Sequence, residues 1–222
     1  MSTKQGNKLM KIATIAAVVA LFAAGTASAS PVNLITNGNF ETVATGYTFN
    51  SGFKVINNGS SALTGWTVGA SSIDLIRNAY NAIDGYSVDM LGTPGPGFLS
   101  QSFSVVAGQT YNLSFDMARN SGGPAGQGVA VSFGGVAGNF YSTAAASNTL
   151  SSNTLSFTAA TTGLATLSFA SAAKAGTPFD NFSGAVIDNV SVMTAVPEPE
   201  TYAMLLAGLG LMGFLRRRKA AK

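Results

Sequence analysis

The chain has no cysteine and no histidine, and only 9% of its 222 residues are charged. Without cysteine, a fold outside the cytoplasm must stand on its core, or on a metal, with no disulfides. Without either residue type, Ser-His and Cys-His nucleophile pairs and histidine-bound zinc are excluded. The charge content lies far below the roughly 25% of ordinary soluble domains, so the polar surface must be built from Ser, Thr, Asn, Gln and Gly. A neutral surface of hydroxyls and amides suits a protein facing sugars or a matrix, and suits equally a weakly charged surface protein with no ligand. Also missing are a glycine-rich phosphate loop followed by a helix and, between the two ends, any sustained 3.6-residue apolar stripe.

Both ends read as addresses. Lys4, Lys8 and Lys11 precede an apolar run over 12–24, and Ala27-Ser28-Ala29 supplies small residues for cleavage. This predicts a secretory signal peptide over 1–29, removed after Ala29. At the other end Pro197-Glu198-Pro199 leads into an apolar stretch, 202–215, and then Arg216, Arg217, Arg218 and Lys219. The prolines keep the backbone extended and accessible. The apolar stretch can enter a bilayer as a helix whose terminal cations stay on the cytoplasmic side. It would rise about 21 Å, short of a hydrocarbon core of about 30 Å, so it reads as a transient sorting helix; an ordinary tail anchor is the alternative. The arrangement over 196–222 resembles the PEP-CTERM sorting signal of Gram-negative bacteria, with Pro197, Glu198 and Pro199 at the motif positions. The resemblance implies passage through the secretion machinery, processing by an exosortase-type membrane enzyme, and a place in the cell envelope, at the cell surface or in the extracellular matrix.

Setting the ends aside reverses the charge argument. The whole chain is +3, but eight of its twelve cations lie in the two signals. The segment 30–195 keeps Lys54, Arg77, Arg119 and Lys174 against Glu41, Asp74, Asp84, Asp89, Asp116, Asp180 and Asp188, four cations against seven carboxylates, or −3. The basic balance belongs to the discarded segments, and nucleic-acid binding loses its support. This segment is long enough for one domain with a real core.

Its pattern is all-β. In 111–117 the odd positions are apolar and the even ones polar, the mark of a half-buried strand. Ala165, Leu167 and Phe169 alternate with polar or small neighbours, and Leu99, Phe103 and Val105 share a face with Gln101. Shorter strands are predicted around 53–56, 73–76, 86–91 and 129–133, with a loop near 147–153 followed by a strand through Leu155 and Phe157. Gly-, Asn- and Pro-rich clusters punctuate them. The segment 106–109 reads as a tight hairpin turn between two of the clearest strands, and Trp66 starts a strand after Gly65. Many short antiparallel strands at this length predict a two-sheet jelly-roll sandwich.

The domain opens on Asn33-Leu34-Ile35-Thr36-Asn37-Gly38-Asn39-Phe40-Glu41, continues through Gly65-Trp66, and closes on Ile187-Asp188-Asn189-Val190-Ser191-Val192. In that order these stretches resemble galactose-binding-like jelly rolls, including many carbohydrate-binding modules. The interior stretches 72–76, 84–90, 100–103 and 111–120 are similar to the DUF642-like, choice-of-anchor C family of exported proteins. Its plant members associate with cell-wall polysaccharide.

Val186, Asp188, Val190 and Val192 alternate onto one face, and a lone carboxylate facing a core is costly unless paired or metal-bound. A jelly roll brings its first and last strands together, which would set Asp188 beside the 37–41 turn. Glu41, Asp188 and oxygens of the turn at Asn37 would then form an oxygen-only cluster suited to Ca²⁺. The resemblance implies the same, since related carbohydrate-binding modules hold a structural calcium between equivalent segments. The alternative is an Asp188 satisfied by backbone N–H groups and a solvated Glu41.

Sugars are gripped by aromatic faces together with planar amides and carboxylates. Trp66, Tyr80, Tyr86, Arg119 and Asn120 are the candidates, with Trp66 more often a core residue at such a position and Tyr80 the more exposed platform. Asp74, Asp84, Asp89 and Asp116 could supply a glycosidase-type carboxylate pair, although a solvated sheet face explains Asp89 and Asp116 more cheaply. The expectation is a non-catalytic, exported protein that associates with exopolysaccharide. The alternatives are a structural surface or biofilm protein without a discrete sugar site, and a carboxylate-dependent glycan-cleaving enzyme.

Overall fold

Strict alternation builds the strands. Along 110–119, Tyr111, Leu113, Phe115 and Met117 are buried while Asn112 and Ser114 are exposed, so one face packs and the other meets solvent. The computed structural model describes residues 32–142, 149–178, 180, 182–195, 205–210, 212–213 and 216. The strands are β1 (Gly52–Asn57), β2 (Thr67–Ala70), β3 (Ser72–Arg77), β4 (Tyr86–Asp89), β5 (Gly97–Val105), β6 (Thr110–Arg119), β7 (Gln127–Phe133), β8 (Val136–Tyr141), β9 (Ser151–Thr158), β10 (Gly163–Ala173) and β11 (Ala185–Thr194).

They form two antiparallel sheets, one of six strands in the order β1-β3-β4-β11-β6-β9 and one of five in the order β2-β5-β10-β7-β8. The protein is an all-β jelly-roll sandwich. Its interior is aromatic: Phe115 meets Phe169 edge-on with ring centroids 5.1 Å apart, Phe133 meets Phe157 at 4.6 Å, and Trp66 lies 5.5 Å from Phe40. Such edge-to-face and tilted contacts add to the burial of large apolar area.

The chain divides into two compact units, Pro31–Ala195 and a second made of Met1–Ser30 with Val196–Lys222. In the second, the described residues 205–210, 212–213 and 216 are helical. Among the described residues no helix is long and apolar enough to cross a membrane.

Three details differ from the sequence-based expectations. The segment 106–109 does turn, with the Gln109 N–H donating to the Val106 carbonyl at 3.1 Å. However, β5 and β6 lie in different sheets, so the turn is an arch between sheets and not a hairpin. Alternation reports which side of a strand is buried but not which sheet the next strand joins. Secondly, β8 escapes the pattern, because an edge strand with no fully buried residue has little alternation to read.

Thirdly, β11 changes face part-way. Asp188 pairs with Asp116 and Ser191 with Ser114, three steps against two, which is a β-bulge. Asn189 absorbs it at φ 51°. Ala185 and Ile187 therefore share the inner face with Val190 and Val192, while Val186 joins Ile76 and Ala118 in a small cluster on the other side. Asp188, two residues from Val186, belongs to that outer face and not to the core.

Candidate functional site

The outer face of the six-stranded sheet carries carboxylates that are nonetheless buried. Strand alternation puts Asp74 on β3 and Asp89 on β4 outward, and the register makes them direct cross-strand partners. Neighbouring loops close over them, leaving Asp74 3% and Asp89 1% exposed. Asp74 accepts from the Thr93 amide at 3.1 Å and the Thr93 hydroxyl at 2.9 Å. Asp89 accepts from the amides of Leu91 and Gly184, each at 2.9 Å, and from the Asn120 Nδ2. The Asn120 Oδ1 in turn accepts from the Gly122 amide at 2.8 Å.

Burial raises both carboxyls above the ordinary 3.8. For Asp74 the two Thr93 bonds oppose the rise. Asp89 is pushed up to about 7, mainly by burial and in small part by the Asp74 charge, against the lowering by Asn120, Leu91 and Gly184. Like charges side by side in a dehydrated place cannot both ionise cheaply.

Above this pair lies a cleft of about 260 Å³ lined by Phe53, Asp74, Ile76, Tyr80, Asp89, Thr93, Asn120, Phe182 and Ser183. Its rim is aromatic. Phe53 is 46%, Tyr80 37% and Phe182 56% exposed, and Phe53 meets Tyr80 edge-on at 5.8 Å. Tyr80 and its neighbours Asn78 and Asn81 adopt positive φ, a run of left-handed residues that folds the loop back beside β1.

A third buried carboxylate sits further along the same face. Asp188 accepts from the Ser87 hydroxyl at 2.8 Å, the Asn189 amide at 2.7 Å and the Asp84 amide at 3.3 Å. Burial lifts it to about 7 against these three bonds, and the nearby Glu41 charge adds to the rise. Glu41 itself accepts from the Tyr86 amide. The opening segment is laced to β11: the Leu34 amide donates to the Val192 carbonyl and the Val190 amide to the Gly38 carbonyl, each at 2.9 Å.

The model of the family described as protein of unknown function (DUF642) matches residues 33–193. The chain belongs to the DUF642 family. A second model, the PEP-CTERM protein-sorting motif, matches 195–219; the protein is therefore an exported one of the envelope or surface, handled by an exosortase.

This DUF642 chain is 29% identical over 183 residues to halomucin of Haloquadratum walsbyi, covering 81% of the chain but 2% of that protein's length. Among solved structures it is similar to TmCBM61 in complex with β-1,4-galactotriose, with 16% identity, TM-score 0.45, and coverage of 72% of this chain and 97% of that one. It is also similar to the CBM22-1 xylan-binding domain of Paenibacillus barcinonensis Xyn10C, with 14% identity, TM-score 0.41, and coverage of 68% and 99%.

The five predicted sugar-facing residues do not converge. Tyr80 is on the cleft rim, as an exposed platform, and Asn120 is beneath it, committed to Asp89. Trp66 is 4% exposed inside the core, where its Nε1 donates to the Asn37 carbonyl at 2.9 Å. Tyr86 is 4% exposed, with the Arg77 guanidinium 4.7 Å above its ring; an inward β4 position leaves it no open face. Arg119 receives Asn81 on its carbonyl at 2.6 Å and has a buried Nε without a partner. Asp89, expected on a solvated face, is buried because loops cover that face.

Of the three predicted calcium ligands, Glu41 and Asp188 lie near enough for the Glu41 charge to raise Asp188. Asn37 does not fit as a side-chain ligand. Its Oδ1 accepts from the Thr42 amide at 2.8 Å, and its Nδ2 donates to the Thr42 and Thr64 carbonyls. Among the described residues no group of three or more acidic side chains gathers. Ala29, Pro197, Glu198 and Pro199 lie outside the described residues.

The sequence reading overlooked Phe53, Thr93, Phe182 and Ser183. Phe53 left one trace, an aromatic alternating with Lys54 on a strand that otherwise looks like core.

Proposed function

We propose that this exported DUF642 protein is a non-catalytic, carbohydrate-associating component of a Gram-negative cell surface or extracellular matrix, and that the cleft between Phe53, Tyr80 and Phe182 is where the glycan docks. The observation that carries this reading is the pairing of exposed aromatic faces with a floor of carboxylates. Sugar C–H faces stack on such rings, and sugar hydroxyls need acceptors below. A volume of about 260 Å³ is at or below the roughly 300 Å³ lower bound of drug-sized sites, which suits one sugar ring with its neighbours running out over the rim.

The burial of Asp74 and Asp89 supports a binding role over glycan cleavage. Asp89 is held by several donors, and a carboxylate so occupied is poorly placed to activate water. The reading of a structural surface protein without a sugar site also has an observation in its favour, the burial of Trp66 and Tyr86.

Titration of the purified protein with a panel of bacterial exopolysaccharide fragments separates the two. Binding to at least one fragment, weakened about tenfold by Phe53→Ala or Tyr80→Ala, is the expected result. Silence across the panel would move the protein to the structural reading. A structural calcium held by Glu41 and Asp188 belongs to the same proposal: two carboxylates with unused lone pairs need a countercharge, and Ca²⁺ completes its shell from backbone oxygens and water.

A further inference from the structure

Resting on the reading of the cleft as a glycan site, the geometry points to a specific ligand class: we infer that the cleft selects an amine-bearing sugar, a glucosamine-type residue with a free ammonium group, over neutral and N-acylated sugars. Both Thr93 donors are spent on Asp74, and the Asn120 amide is used at both ends, by Asp89 and by the Gly122 amide. The uncommitted hydroxyls among the lining side chains are those of Ser183 and, up on the rim, Tyr80.

The floor therefore offers mainly acceptors, and an ammonium above it favours the ionised form of both carboxyls. Asp89 has its oxygens filled by two amides and Asn120, whereas Asp74 has Thr93 alone and keeps lone pairs free. A neutral hydroxyl both donates and accepts, while an acetamido group adds a carbonyl that would face these carboxylates. An ammonium is donor-only and matches the floor.

Charge supports the same ligand. Asp74 and Asp89 stand side by side with no cation among the cleft residues. Arg77 is committed to the Tyr86 ring and hydroxyl. A cation entering the cleft would meet two carboxyls that lack a countercharge, beside the rings of Phe53, Tyr80 and Phe182, residue types whose π-faces also attract cations. Aromatic rim and acidic floor thus act on one ligand group, while the rings still accept the sugar's C–H face.

The test compares three soluble trisaccharides of glucosamine, N-acetylglucosamine and glucose against the purified protein by calorimetric titration near neutral pH, at low and at high salt. The glucosamine trimer should bind about tenfold tighter than either other trimer, with the preference persisting at high salt. Asp74→Asn should erase that preference, and Asp84→Asn, an exposed carboxylate outside the cleft, should leave it intact.

Equal or weaker binding of the glucosamine trimer would overturn the inference while leaving the cleft a glycan site. Silence with all three trimers and with the exopolysaccharide panel would overturn both. A preference that vanishes with salt, or falls equally in Asp84→Asn, would reduce it to general attraction by an acidic protein and overturn it as well. Should Asp74→Asn fail to fold, the preference of the intact protein and its loss in Phe53→Ala, at an exposed ring, still decide the matter.

Discussion

Gly38 sits where the opening segment meets the last strand, and a Cβ there would overlap the Val190 carbonyl. The neighbour is backbone and cannot swing away, so Gly38→Ala must push the opening segment off β11. We expect a loss of about 1–3 kcal/mol, read as a lower urea midpoint with an unchanged slope. Gly108→Ala gives the contrast, because nothing lies within 4 Å of its added methyl and only its φ of 79° is strained. Trp66 tells the same story from inside the core. Its ring packs on Phe40 and Phe169, so Trp66→Ala should cost about 3–5 kcal/mol and should not be rescued by any sugar. If Trp66→Ala instead left stability intact and abolished glycan binding, the assignment of the site to the outer cleft would be wrong.

At the scale of elements, the bulge in β11 decides which groups can meet. Without it, Asp188 would stay in phase with Val190 and Val192 and face the core unpaired. The extra residue moves Asp188 outward, where Ser87, Asp84 and Asn189 supply its donors. Asn189 tolerates the left-handed conformation and donates from Nδ2 to Asp116 at 3.0 Å. A β-branched residue there suffers both strain and a lost bond. Asn189→Val should therefore cost about 1–3 kcal/mol, whereas Asn189→Gly should cost less; equal losses by denaturant titration would remove backbone strain from the account. The bulge was illegible in the sequence, because 186–192 reads as a regular alternation whether or not one residue is extra. The strands themselves were legible wherever one face is buried, as in β5, β6 and β10, and illegible at the edge, as in β8.

At the scale of the molecule, folding gathers carboxyls on one covered sheet face without partners of opposite charge among the described residues. Asp89 and Asp188 rise from the ordinary 3.8 to about 7, and Asp74 rises as well. Between those values the folded state holds more protons than the unfolded chain, so stability falls as pH rises. The contribution is complete below about 3.8, fades toward about 7 and is flat above. Calorimetric melting in chelator should give a melting temperature that declines across this window. Calcium should raise it at the upper end, where Asp188 is ionised, since a ligand that binds only the folded state stabilises it. Asp188→Asn should remove both the calcium response and part of the decline. Stability that instead climbed between pH 4 and 7 would contradict the raised carboxyls, and indifference to calcium in the unaltered protein would dismiss the metal.

The amino-acid sequence by itself determined the sorting motif, the sandwich class, the family and the meeting of the opening segment with the last strand. These rest on local order: a run of residue types in fixed succession, or a period of two, which survives without knowledge of the fold. The tertiary structure alone decided that Trp66 and Tyr86 turn inward, that Asn37 is consumed by its own turn, and that Phe53, Tyr80, Phe182, Asp74 and Asp89 share a cleft. Those residues lie on different strands and loops, separated by up to about 130 positions. Their meeting depends on strand order, a cross-strand register and loops folding over a face that alternation alone reads as open to water.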